Sequence, residues 1–138
     1  MSNCVTKNDI LVADFNAVQY SLDSNACSSL AAFADDGKQP VNYVLLQRQL
    51  TPNQRDLELG HGQVHIEINS QKRSKYGAVN KCALSDDELR ITLTEDAAEE
   101  MRVNQDVRIG LSVTEAQLTE LTEFLSELFS GIGEFQRI

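Results

Sequence analysis

The run from Val64 to Leu93, VHIEINSQKRSKYGAVNKCALSDDELRITL, reads as strand, polar loop, strand, turn and strand. Val64, Ile66 and Ile68 alternate with Gln63, His65, Glu67 and Asn69, the period of two that marks a strand buried on one side only. Leu89, Ile91 and Leu93 repeat the pattern against Arg90 and Thr92. A weaker strand near Val79 to Leu84 lies between them, and Ser85-Asp86-Asp87 supplies a tight hairpin turn. The loop from Ser70 to Gly77 gathers Gln71, Lys72, Arg73 and Tyr76, residue types that binding surfaces use. The stretch has the pattern of a scaffold that presents a surface, and nothing in it has the spacing of a catalytic centre.

Outward from this run, Ile10 to Phe15 is a predicted strand with Leu11, Ala13 and Phe15 on one face, and Tyr20 with Leu22 continues it after a bend at Asn16. Cys27 to Ala34 fits strand or helix by periodicity. Asn25 and the Asp35-Asp36-Gly37 turn favour strand. Val41 to Leu50, VNYVLLQRQL, is apolar on both faces at its centre, which predicts a central strand covered by a helix. The polar segment TPNQRDLELGHG follows as a long loop, with a short turn at Asn53 to Asp56. Thr94 is an N-cap for a short helix over TEDAAEEM, and Asp106 to Val113 alternates as another strand. From Thr114, Leu118, Leu121, Phe124, Leu125, Leu128 and Phe129 share one helical stripe, with Thr114 and Gln117 as a capping box and Gly131 as the stop. The expected fold is α+β: a mostly antiparallel sheet of about six strands, a short helix, and a C-terminal amphipathic helix packed on one face.

The length of 138 residues suits one domain with one core, taken as 9–138 after a polar, flexible stretch at 1–8. Twelve basic residues against twenty-one acidic ones leave a net charge of −9. Such a balance argues against nucleic acid, which is bound through Lys and Arg, and against anionic membrane surfaces. It suits steering towards a basic partner. No apolar run reaches the ~20 residues of a membrane span, and the first residues, MSNCVTKNDI, lack the apolar core of a secretion signal, so the expected compartment is the cytoplasm.

Three widely spaced cysteines, Cys4, Cys27 and Cys82, suggest neither a disulfide framework nor a zinc knuckle. His61, His65 and Glu67 share one strand face but lie ~7 Å apart per alternate position, too spread for one ion unaided. No phosphate-binding or dinucleotide-binding glycine pattern is present. The sequence thus gives no catalytic residue, metal site or cofactor. Two surfaces remain as candidates. One is the polar strand face and its loop, with His65, Glu67, Asn69, Gln71, Arg73 and Tyr76, the tyrosine being of the kind enriched at interface centres. The other is the acidic side of the last helix, Glu120, Glu123 and Glu127.

These residues carry a resemblance. Tyr43, Leu46, Gln47 and Arg48, then Ile66, Glu67, Ile68, Asn69 and Gln71, then Ser74, Tyr76 and Gly77 follow the order Y-x-x-L-Q-R, I-E-I-N-x-Q and S-x-Y-G-G. In this order the chain, over about residues 27 to 130, resembles the immunity protein 10 family of bacterial polymorphic toxin systems, departing at Ala78, where the pattern has a second glycine. The resemblance implies a small cytoplasmic protein that neutralises a cognate toxin domain by stoichiometric binding, with no catalysis and no cofactor. A cytosolic module binding a small ligand on the concave side of the sheet is the alternative, and it requires a deep pocket. An enzyme would require His61 or His65 to lie beside Glu67 or Cys82 in a cleft.

Overall fold

In the computed structural model, Ile66 and Ile68 are fully buried while His65 and Glu67, which alternate with them, are half-exposed, as the pattern requires. The structure describes residues 10–25, 27–60, 62–132 and 134–138. The 1–8 stretch, with Cys4, and His61 lie outside the described residues.

The described chain forms ten strands and three helices: β1 (Asp14–Asn16), β2 (Gln19–Ser24), β3 (Ser28–Ala34), β4 (Tyr43–Gln49), α1 (Gln54–Glu58), β5 (His65–Ile68), β6 (Ser74–Tyr76), β7 (Val79–Leu84), β8 (Glu88–Leu93), α2 (Glu95–Met101), β9 (Asp106–Gly110), α3 (Glu115–Leu128) and β10 (Glu134–Arg137). The class is α+β, as expected, with the strands divided between two five-stranded sheets. The first, in the order β2-β3-β4-β5-β6, is antiparallel throughout. The second, in the order β1-β9-β8-β7-β10, is antiparallel at its centre, and β1 and β10 join its two edges in parallel. The edge strands raise the count above the six legible in the sequence. β10, in particular, falls where the sequence reads as no more than a helix end.

Each sheet buries one face. Ala31, Phe33, Val44, Leu46, Ile66 and Ile68 from the first meet Cys82, Leu84, Leu89, Ile91, Leu93, Val107 and Ile109 from the second in a single core. The stripe of α3 joins them through Leu121, Leu125 and Leu128, and α2 through Ala97 and Met101. Both helices start as the sequence predicts: Thr94 Oγ1 accepts from Ala97 N, and Thr114 and Gln117 cap each other reciprocally. The far end of α3 is held from the first sheet, where Arg48 Nη1 donates to the carbonyls of Leu128 (3.1 Å) and Ser130 (2.7 Å). These carbonyls have no partner within the helix, so a guanidinium there satisfies them and complements the negative end of the helix dipole. Inside the second sheet, burial pushes the Cys82 thiol up to about 12, so Cys82 stays protonated and acts as a small apolar side chain.

The chain passes from one sheet to the other at Gly77, whose φ of 69° lies in the left-handed region that favours glycine. Ala78, fully buried, follows, and its carbonyl accepts from Thr94 N at the start of α2. Ala78 is not among the residues with positive φ, so an alanine here in place of the second glycine of the resembled pattern keeps an ordinary backbone. Across the same junction Lys75 pairs with Glu100 at 2.7 Å, an exposed contact worth little by itself.

Truncating Leu125 to alanine should cost about 2–5 kcal/mol of unfolding free energy, because it opens a cavity where both sheets and α3 meet. The same truncation at exposed Glu127 should stay within about 0.5 kcal/mol. Urea unfolding of the two variants checks both values.

Candidate functional site

The outward side of the first sheet is the surface that the fold leaves open. In register across it stand the rows Asp23–Leu30–Gln47–His65–Tyr76 and Ser21–Ala32–Leu45–Glu67–Ser74, with Gln19–Ala34–Tyr43 beside them. The middle of this face is apolar: Leu30, Ala32, Ala34 and Leu45 are all half-exposed, within a rim of serine, glutamine and acidic residues. An antiparallel sheet that faces water usually shows polar side chains there. An apolar centre with a polar rim is instead the anatomy of a protein interface.

This finding alters one expectation. The two-sided apolarity of β4 predicts a covering helix, yet α3 lies on the inner side, where Arg48 reaches it, and α1 buries no residue at all. The outward face of β4, including Leu45 and Gln47, remains accessible. The cover that its composition calls for does not come from a helix of the described chain.

Within the face, Tyr43 Oη donates to Glu67 Oε2 at 2.6 Å. Burial, the hydrogen bond to Glu67 and the negative charge of that carboxylate together push the Tyr43 phenol up to about 12. His65 and Tyr76, directly opposite on β5 and β6, bring their ring centroids to 4.6 Å with planes tilted by 53°, within the range of favourable aromatic pairs. These rows carry two carboxylates, Asp23 and Glu67, and no lysine or arginine.

The residues singled out from the sequence divide here. His65, Glu67 and Tyr76 lie together on the open face. Asn69 has φ of 61°, its side chain accepts from Tyr43 N at 2.7 Å, and its amide donates to Asn42 Oδ1 at 3.0 Å, so it ties the end of β5 to the start of β4. Gln71 sits exposed at the tip of the hairpin between β5 and β6, a turn wired by Ile68 N to Arg73 O (2.9 Å) and Arg73 N to Ser70 O (2.9 Å). Arg73 turns towards α2, its Nε 3.5 Å from the Arg102 carbonyl. On α3, Glu120, Glu123 and Glu127 are exposed, and Glu120 accepts from Tyr20 Oη at 3.2 Å. Burial, that bond and the Glu120 charge raise the Tyr20 phenol. This acidic helix side belongs to a different part of the molecule from the open sheet face.

The other chemistries find less in the geometry. Cys82 is buried inside the second sheet and His65 lies on the outward side of the first, so the thiol and the imidazole do not share a cleft. Among the described residues no group of three or more His, Cys, Asp or Glu is placed to hold a metal ion. The larger depressions lie away from the open face. One of about 780 Å³ runs beside α2 along Ile10, Ala98, Arg102 and Gln105, and one of about 630 Å³ lies between α3 and the β7–β8 turn. Among the described residues no helix is long and apolar enough to cross a membrane.

Leu30, Ala32 and Leu45 were the residues that sequence reasoning passed over. Their signal was available in the two apolar faces of β4 and in the all-small or apolar alternate positions of β3.

Fold and face together define a two-sheet α+β protein with one sheet surface left open. A family model described as immunity protein 10 matches residues 14–119, from β1 into the first turns of α3, and the chain belongs to that family. No curated protein matches the chain.

Tyr43 sets a testable pH dependence. The folded state keeps a phenolic proton that the unfolded chain releases near pH 10, so this contribution is complete below pH 10 and is lost as pH rises towards about 12. Tyr43→Phe lacks the proton and the bond to Glu67. Its stability deficit against the parent should therefore narrow between pH 10 and 12 in thermal melts, and a constant deficit would mean that the phenol titrates normally.

Proposed function

We propose that this protein neutralises a cognate bacterial toxin domain by binding it one to one through the outward face of β2–β6, with no turnover. The family match carries the reading, and the apolar centre of an uncovered sheet face gives it a surface. An interface of standard size buries on the order of 1,600 Å² in total, which a five-stranded sheet face and its adjoining loops can supply. Occlusion asks only for complementarity, consistent with a face that holds a hydrogen-bonded Tyr43–Glu67 pair and a tilted His65–Tyr76 ring pair.

The charge of −9 and the acidic rim favour a toxin with a positively charged surface, drawn in by complementary potentials. The toxin acts where its substrate is, and an inhibitor protecting the producing cell works in the cytoplasm of a bacterium. Tyr76, exposed and with its ring tilted against that of His65, is the aromatic anchor of the face, with Glu67 held in place by Tyr43. Gln71 and Arg73 flank it on the β5–β6 hairpin, and the acidic side of α3 contributes to steering.

Titration calorimetry against an inactivated toxin domain encoded beside this protein should give one-to-one binding at nanomolar affinity. Tyr76→Ala should then weaken binding by about 2 kcal/mol, roughly thirtyfold, with the melting temperature little changed. Absence of binding between two folded partners would sink the reading.

A further inference from the structure

The short helix after β4 is built without the usual reason for a helix. A five-residue helix gains too few hydrogen bonds to repay its nucleation, so in proteins such segments are held by burying an apolar side. α1 buries nothing. It is held by its ends instead: Asn53 Oδ1 accepts from Asp56 N at 2.8 Å, Asp56 Oδ2 accepts from Asn53 N at 3.2 Å, and the same carboxylate takes Gln49 Nε2 at 3.0 Å, which ties the helix to the open face of β4. The apolar side chains that would normally be buried are left in solvent. Leu57 is 51% exposed, Leu59 59% and Leu50 42%, three exposed leucines within ten residues of chain, although Val18, Val41 and Ile138 elsewhere are more open to water.

Their position extends the sheet face. A methyl group added at Gly62 would lie 2.9 Å from Leu57 Cδ2, so the leucine lies directly on the Gly62 backbone. One residue on, Gln63 rests its side chain at Gly77, next to Tyr76. Leu57, Gly62, Gln63 and Tyr76 thus form a continuous surface at the end of the sheet where β4 finishes and β5 begins. The charged groups beside it are acidic on balance: Asp56 and Glu58 against Arg55 on α1, with Asp23 in the row of His65 and Tyr76.

We infer that α1 is a preformed docking helix, inserting Leu57 and Leu59 into an apolar depression of a basic protein surface while the exposed Glu58 faces its cations. The inference rests on the toxin-binding reading and narrows it, making the partner the cognate toxin domain and placing the most tightly packed part of the contact at α1 and Tyr76. The charge of the chain argues for this occupant over a second copy, because two copies would bring like acidic rims together.

Three proteins distinguish the outcomes: the parent, Leu57→Glu/Leu59→Glu, and Glu58→Lys. All three are expected to melt at the same temperature, because the changed side chains are exposed. Against the inactivated toxin domain, the double variant should bind at least about thirtyfold more weakly than the parent. Glu58→Lys should bind more weakly and show a flatter dependence on sodium chloride, a readout that stands even if the double variant fails to fold. Parent binding with both variants within threefold would overturn the docking helix and leave the immunity reading intact. Parent binding with no salt dependence would overturn the basic partner. A parent that binds nothing would overturn both readings. A free parent that sediments as a dimer, and becomes monomeric in the double variant, would assign the leucines to a second copy and overturn the inference.

Discussion

Two sheets that can each bury only one face must bury it on the other, and everything else in this molecule is placed by that constraint. Phe33, Leu46 and Ile66 on one side need Leu89, Ile91 and Ile109 on the other, and α3 fills the remaining gap with Leu121, Leu125 and Leu128. The crossing between the sheets then has to be abrupt, and Gly77 supplies the left-handed turn while buried Ala78 bonds to the start of α2. Arg48 closes the arrangement by reaching from the first sheet to the exposed carbonyls at the end of α3. Its inward direction fixes which side of β4 the helix covers, and so which side stays open.

Much of the architecture could be read from period alone. The Val64–Ile68 and Leu89–Leu93 alternations, the stripe of α3 and the caps Thr94 and Thr114 all survive because each is strong locally and agrees with its neighbours. β10 was not readable: Glu134–Arg137 carries two charges around one aromatic, and its pairing with β7 is parallel, set by a distant crossover rather than a local turn. α1 was half readable, since Asn53 and Asp56 announce a cap but five residues are too few to show a period.

The site was legible in a similar way. His65, Glu67 and Tyr76 follow from alternation and from the register of one hairpin, which brings them onto a common face. Asn69 sits in the same alternation but is diverted into a left-handed turn, a conformation that asparagine tolerates better than most residues. The two apolar faces of β4 are visible in the sequence, but a sequence cannot distinguish a face covered by its own helix from one left open. Only the inward placement of α3 separates the two.

The two sheets also differ in how they are drawn from the chain. The first takes all its strands from residues 19 to 76 without interruption, each paired with the next in order. The second needs residues 14–16 for one edge and 134–137 for the other, so its last strand enters only after the 49 residues that separate Leu84 of β7 from Glu134 have passed. Because closing long loops costs entropy before contacts repay it, local pairings form early and distant ones late. During synthesis the sheet bearing the open face is therefore complete before the sheet that seals its core, and its inner side waits for Leu121, Leu125 and β10. A nascent chain at that stage exposes apolar surface on both sides of one sheet, which makes the interval before α3 emerges the point of greatest exposure to aggregation.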